Sequence, residues 1–360
     1  MIVTKWIFVK DHLTKEQSDE WEKLQLSCKE SSASGSLSFA KHAHLLVTTN
    51  QFIYAFGYNN EKLLTVLPLM RNNKSALGLS YQYIQTINHD HLDCFIAPGQ
   101  DKLKADDLIS SLIKACRTQL DGWHLFIARR WLFQDSINQK YISPIYKRHA
   151  AYLDLNNDQK HHQLIPKKLL KNINRFEKRL SSEGQLNLQI SEKKDDLPEA
   201  LNMFIELEQS GWKGQKGSAI GCQKKLSIFY KNCWSEFSNS QRAKIFLLKI
   251  DEQLIAASIG YQASNRLYLH KITYDESLSN NGPGSILIKR VIEYACDDKT
   301  LSSLCFNTNP PWVARWHPEF YHLKAVLFFN TNLKGLLLKA FFYINSNLKL
   351  LKRHLKSSKS

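Results

Sequence analysis

The segment Arg266–Cys296, RLYLHKITYDESLSNNGPGSILIKRVIEYAC, constrains the fold more than any other part of the chain. Arg266–Ile272 is short and rich in aromatic and β-branched residues, which suits a buried strand. Tyr274-Asp275-Glu276 ends that strand, and Ser279-Asn280-Asn281-Gly282-Pro283-Gly284 is turn chemistry. The two glycines tolerate positive φ, and Pro283 fixes its own φ. From Ser285 a helix follows, with Ile286, Leu287, Val291, Tyr294 and Ala295 along one apolar side. A helix opened by such a turn presents unpaired N–H groups and its positive dipole end, an arrangement that suits a phosphate. Glycine also serves simply to turn a chain, so the loop by itself leaves both readings open.

The elements around this segment predict an α+β domain. Gln185–Ser191 reads as a strand and Leu197–Ser210 as a helix closed by Gly211. Lys224–Ser238 is a second helix, and Ala243–Ile250 with Leu254–Ala263 forms a hairpin that leads into the strand at Arg266. Ser303–Asn307 follows the glycine-opened helix as a further strand. In the first half, Lys5–Lys10 reads as a strand and Ser18–Glu30 as a helix. His44–Thr49, Phe52–Tyr58 and Lys62–Met70 read as a meander continued by Tyr81–Ile96. Asp106–Leu120 is an amphipathic helix, and Trp123–Ala128 and Ala151–Leu155 are strands. A chain of 360 residues supports about two cores. The expected division is an α+β domain at 1–155, a second at 156–320 with a basic connector helix at 165–180, and a basic amphipathic tail at 321–360.

A net charge of +16 favours anionic partners, whether phosphate-bearing substrates, RNA or an anionic membrane. Lys167, Lys168, Lys171, Arg175, Lys178 and Arg179 crowd the connector helix, where only Glu177 opposes them, and Ile165, Leu169, Ile173, Phe176 and Leu180 mark its buried stripe. No base-reading aromatics interleave the charges, Phe176 belonging to the buried stripe, which argues against sequence-specific nucleic-acid binding. In the tail, Val326–Phe329, Leu336–Leu338 and Phe341–Ile344 alternate with lysines and no acid, a pattern that suits a helix lying on anionic lipid through 323–360. Seven scattered cysteines without a CxxC pair suit a reducing compartment, and no apolar run reaches the roughly 18 residues of a spanning helix. The expected location is cytoplasmic, with peripheral contact at the inner face of the membrane. Neither the cysteines nor the cluster around His89 and Asp90 has metal-ligand spacing, so no metal is expected. No G-x-S-x-G elbow and no dinucleotide fingerprint is present.

The order Ser210-Gly211-Trp212-Lys213-Gly214, then Leu269-His270-Lys271-Ile272-Thr273-Tyr274-Asp275-Glu276, then Gly282-Pro283-Gly284 and a helix resembles the GNAT acyltransferase superfamily. In detail it resembles the FemAB-like branch that includes the CelD-type proteins of cellulose and exopolysaccharide synthesis. The resemblance is best over about 165–316 and fainter upstream, where Lys62–Arg71 is similar to a strand of the family's first half. It implies two tandem GNAT-like domains with mixed, mainly antiparallel sheets, the second one catalytic. It further implies acyl-CoA as donor, held by Lys271, Ile272, Thr273, Gly282, Gly284 and Ser285, with no metal. Ser279 stands where the family's loop carries Arg or Gln, which leaves an acyl carrier protein or, as in Fem enzymes, an aminoacyl-tRNA as alternative donors.

Acyl transfer to an amine needs alignment, polarisation of one carbonyl and management of one proton. In the family a backbone N–H of the strand before the phosphate loop supports the thioester oxygen, so no side-chain motif marks it. The acid/base candidates are Tyr274, Asp275 and Glu208. Trp212, Lys213, His89 and Asp90 are the candidates for binding the acceptor, an amine of a sugar or other envelope precursor. Two further readings stay open: a Fem-type aminoacyl transferase, and a catalytically inactive GNAT fold acting as a membrane-associated assembly protein.

Overall fold

A computed structural model describes residues 2–28, 32, 35–76, 78–87, 103–132, 147–155, 161–263, 265–307 and 309–344. The chain runs β1 (Lys5–Lys10), α1 (Lys15–Ser27), α2 (Leu37–His42), β2 (Gln51–Asn59), β3 (Lys62–Ala76), β4 (Leu79–Thr86), α3 (Ala105–Gln119) and β5 (Leu125–Leu132). It continues with β6 (Lys147–Asp154), α4 (His161–Leu164), α5 (Lys167–Leu180), β7 (Leu186–Ser191), α6 (Leu197–Ser210), α7 (Trp212–Gln215) and α8 (Lys224–Asn239). Then come β8 (Ala243–Ile250), β9 (Gln253–Ala263), β10 (Arg266–Tyr274), α9 (Pro283–Asp297), β11 (Ser303–Cys305), β12 (Glu319–Phe329) and a last helix, α10, over 333–344.

These elements form two compact units, and the fold class is α+β with mixed, mainly antiparallel sheets. The first unit comprises Met1–Leu24, Thr48–Arg148 and Leu323–Ser360. Its strands lie in the order β1-β2-β3-β4-β5-β12, all antiparallel except β4 beside β5. The amphipathic helix α3 makes the parallel crossover and seats Leu108, Leu112 and Cys116 on the sheet with Trp123, Phe126 and Phe328. On the other face Leu125, Leu327 and Phe329 meet Tyr81 and Leu338 of α10. Because β12 is covered on both faces, its apolar residues run on without alternation.

The second unit comprises Gln25–Val47 and His149–His322. Its order is β6-β11-β10-β9-β8-β7, again antiparallel except for one pair, β10 beside β11, joined through α9. The two units therefore repeat one plan: four antiparallel strands, a helix, a parallel fifth strand and an antiparallel sixth. The sixth strands are exchanged. β6 follows β5 in sequence but completes the second sheet, and β12 follows β11 but completes the first. α9 covers the face bearing Phe246, and α8 covers the opposite face bearing Tyr261.

Three expectations change. The units are not the consecutive blocks 1–155 and 156–320, because 25–47 and β6 fold with the second and 323 onward with the first. Val326–Phe329 is not part of an interfacial helix but the buried end of β12, paired with Leu125–Ala128. His44–Thr49 is not a strand. Leu46 and Val47 both return their N–H groups to Ala43 O, and the preceding α2 seats Phe39 against Phe229 and Phe237 of α8.

Candidate functional site

The site begins where the second sheet opens. β10 pairs with β11 only from Arg266 to Tyr268, and a bulge follows between Leu269 and Lys271. Beyond Cys305 the chain leaves the sheet, turns at Asn307 with φ +56°, and forms the helical turn Pro311–Trp316. Among the described residues, Leu269–Tyr274 thus has a strand partner on its β9 side alone. The opening is a cleft of about 530 Å³. It is lined by Ile272, Thr273 and Tyr274 of β10, by the 282–285 turn, and by Trp212, Lys213 and Arg315. Ile272 gives its carbonyl to Lys213 Nζ at 3.3 Å. The N–H and C=O of one strand residue point the same way, so the Ile272 N–H faces the cleft as well.

The turn has the form its sequence demands. Gly282 sits at φ +57°, ψ +43° and is the N-cap of α9, with Pro283 next. A Cβ at Gly282 would lie 2.7 Å from the Phe176 ring of α5, and one at Gly284 would lie 3.1 Å from the Tyr274 ring. Ser285 and Ile286 return their N–H groups to Gly282 O, whereas the Gly284 N–H has no partner among the described residues. Close approach of backbone and a free N–H at a helix start are what an anionic group needs.

At the base lies a buried charge cluster. Glu208 of α6 has a side chain with 0% exposure. Its Oε1 accepts from Lys213 Nζ and Lys271 Nζ, both at 2.9 Å, and its Oε2 from the Ile220 N–H at 2.8 Å. Burial pushes the Glu208 carboxyl up, but Lys271, Lys213 and the Ile220 N–H together outweigh it and hold the group below the ordinary carboxylate value. Burial pulls Lys271 down, and sharing one carboxylate with Lys213 leaves it below the ordinary lysine value. The cluster carries one excess positive charge; Glu208 and Lys213 both line the cleft, and Lys213 is the more exposed of the two.

The turn Ser-Gly-Trp-Lys-Gly is built for this placement. A Cβ at Gly214 would overlap the Gln209 carbonyl at 1.7 Å, so only glycine lets α7 fold back and return Lys213 to Glu208. Glu276 Oε1 accepts from the Trp212 N–H at 2.8 Å, tying this turn to the end of β10, with Trp212 itself 49% exposed.

Of the candidate residues, Glu208, Trp212, Lys213, Ile272, Thr273, Tyr274, Gly282, Gly284 and Ser285 line one cleft. Lys271 stands behind them on Glu208. Asp275 is used otherwise: its Oδ1 accepts from the N–H and Oγ of Ser277, capping the turn after β10. Glu208 has both oxygens engaged, by the two lysines and an amide. His89 and Asp90 lie outside the described residues. Sequence reasoning misses Arg315. Its Nη2 donates to Ser285 Oγ at 2.9 Å, it makes no ion pair among the described residues, and it lines the wall that Ser279 shares. A cation about thirty residues from the loop leaves no local motif.

Residues 167–311 match the family model described as acetyltransferase (GNAT) domain. No curated protein matches the sequence. Among solved structures, the chain is similar to FemX, with 10% identity and a TM-score of 0.58 over 92% of this chain and 99% of that one. It is similar to a conserved protein of unknown function from Bacteroides thetaiotaomicron VPI-5482, with 10% identity, a TM-score of 0.56, and 89% and 99% coverage. L-PGS from Bacillus licheniformis is a third, with 14% identity, a TM-score of 0.51, and 88% and 95% coverage. At these identities the likeness concerns the fold. No helix among the described residues is long and apolar enough to cross a membrane.

Proposed function

We infer that the chain, an acyltransferase with a GNAT domain over 167–311, moves an acyl group from acyl-CoA to an amine on a sugar or similar envelope precursor. The observation that carries this reading is the single cleft in which the open edge of β10 meets the glycine turn of α9. Acyl-CoA supplies an already activated thioester carbonyl. The Gly284 N–H and Arg315 hold its phosphates, and the Ile272 N–H supports the carbonyl oxygen. Arg315 takes the part that Arg or Gln plays at the place of Ser279. The N–C bond forms by direct attack of the amine as the C–S bond breaks, and the amine's proton ends on the leaving sulfur. Tyr274, exposed at the mouth, stands where its hydroxyl can pass that proton. Lys213 and Trp212 flank the acceptor side, which suits an acceptor with an anionic group and an apolar face. The resemblance to CelD-type proteins supports an exopolysaccharide acceptor.

Calorimetry with acetyl-CoA and a longer acyl-CoA tests the donor site. Wild type is expected to bind. Arg315→Gln should bind at least tenfold more weakly, because a charged hydrogen-bonding group is lost. Gly284→Trp, which fills the space before Tyr274, should not bind, with circular dichroism unchanged. Absence of wild-type binding would overturn the acyl-CoA reading.

A second reading is favoured by α5. Lys167, Lys168, Lys171, Arg175, Lys178 and Arg179 are exposed, Glu177 is occupied by Lys289 and Arg290, and Phe176 of the same helix lines the cleft. This suits a polyanionic donor such as aminoacyl-tRNA or an acyl carrier protein. Neutralising Lys167, Lys168 and Lys171 together should abolish tRNA binding if that reading holds and leave acetyl-CoA binding intact if it does not.

A further inference from the structure

Helix α10 is apolar on the side away from its own unit. Its N-terminus is fixed: Asn332 Oδ1 caps the Gly335 N–H at 2.8 Å, and Asn330 and Asn332 both donate to Trp123 O. Gly335 allows the close approach, since a Cβ there would meet Asn330 O at 2.3 Å. The inner side then seats Leu338, which is 3% exposed, and Phe342, whose ring lies 5.8 Å from that of Phe329. These contacts fix the rotation of the helix. They turn Leu333, Leu336, Leu337, Ala340 and Ile344 outward at spacings of three, one, three and four, one stripe opposite Leu338. Leu333 is 74% exposed and Ile344 is 57% exposed.

A helix packed on a soluble core puts its polar residues outward, and one that is apolar all round needs a second apolar phase. The flanks of the stripe carry Lys334 and Lys339, both exposed and without an ion pair among the described residues. From Phe320 to the last residue the sequence contains no acid, and it adds Lys349, Lys352, Arg353, Lys356 and Lys359. Cores of protein interfaces are depleted in lysine, whereas interfacial helices keep lysines at the boundary between headgroups and acyl chains. The described helix is too short to span a bilayer.

We propose that α10 lies in the interface of an anionic lipid surface, with Leu333, Leu337 and Ile344 among the acyl chains and Lys334 and Lys339 on the headgroup phosphates. This contact is independent of the donor cleft and is measured without any acyl donor, so its failure would leave the acyl-transfer reading untouched.

The test is co-sedimentation of the full chain with vesicles of phosphatidylcholine alone and of phosphatidylcholine with one-third phosphatidylglycerol. Binding is expected to the anionic vesicles and at least tenfold weaker to the neutral ones. Leu333→Ser/Leu337→Ser removes apolar area without adding charge at exposed positions, so melting should be unchanged while vesicle affinity falls at least tenfold. Lys334→Gln and Lys339→Gln should each cost about fivefold. The proposal is overturned if the serine variant binds as tightly as wild type, or if wild type ignores the anionic vesicles. It is overturned equally if sedimentation velocity shows a dimer that Leu337→Ser dissolves and vesicles do not.

Discussion

Glu208 is taken out of water and given two ammonium groups and an amide, so its value to the fold depends on its charge. Its carboxyl lies below the ordinary 4.5 in the folded chain, which means that the folded form has released a proton that the unfolded chain still holds in mild acid. The stability it contributes is present in full above the unfolded value and is lost as pH falls through the folded one. Glu208→Gln leaves Lys213 and Lys271 without their counter-ion, which should cost about 3–5 kcal/mol at pH 7. The difference between wild type and variant should shrink in acid, because wild type loses the same interaction by protonation. Urea unfolding at pH 7 and below pH 4 measures both. An equal gap at the two pH values would mean that Glu208 is not held as a carboxylate. Arg315 differs from this cluster: it donates to Ser285 Oγ and makes no ion pair among the described residues.

At the scale of elements, the strand–turn–helix of β10 and α9 is legible because each part is local. β-branched residues fit the pleat, Gly282 takes a left-handed conformation, and the apolar period changes from two to 3.6 within the segment. What fills the space around the turn is not local. Phe176 comes from α5 and Arg315 from the turn after β11, and only the tertiary fold brings them to the loop. The same limit explains β12. A strand buried on both faces is a continuous apolar run, as is a membrane-facing helix, and period alone does not separate them. Asp275 is ambiguous in the sequence for another reason, since an acid that caps a turn, as its bond to Ser277 does, and an acid that moves a proton occupy the same place at a strand end. Gly282→Ala tests the turn as an element. It carries a backbone strain at φ +57° and a collision with Phe176, together about 1–3 kcal/mol. Phe176→Leu should restore part of the stability in the double variant, because it removes the collision and not the strain. Chemical unfolding of the four proteins gives the coupling, and strictly additive losses would show that the ring does not bound the loop.

The whole molecule is two copies of one plan that have traded their sixth strands, and this decides what can be cut from it. The last forty residues look expendable in the sequence, being basic and free of acids. Their first part is nevertheless core of the first unit: Val326, Leu327, Phe328 and Phe329 are buried, and β12 supplies the edge to which Leu125–Ala128 is paired. At about 1.5–3 kcal/mol for each large apolar side chain, these four alone contribute about as much as the entire stability of an ordinary domain. A chain ending at His322 should therefore lose the first unit, seen as protease cleavage within 48–148 and loss of part of the circular dichroism signal. A chain ending at Ile344 keeps β12 and α10 and should melt within a few degrees of wild type. The residues that line the cleft lie in the second unit, which retains all of its own strands in the shorter chain. Acetyl-CoA binding by that chain, alongside a digested first unit, would mean that the second unit holds its site unaided. If the chain ending at His322 proved as protease-resistant as the longer one, the exchanged strand would not be part of the first core, and vesicle binding would then be open to study by deletion rather than by point substitution alone.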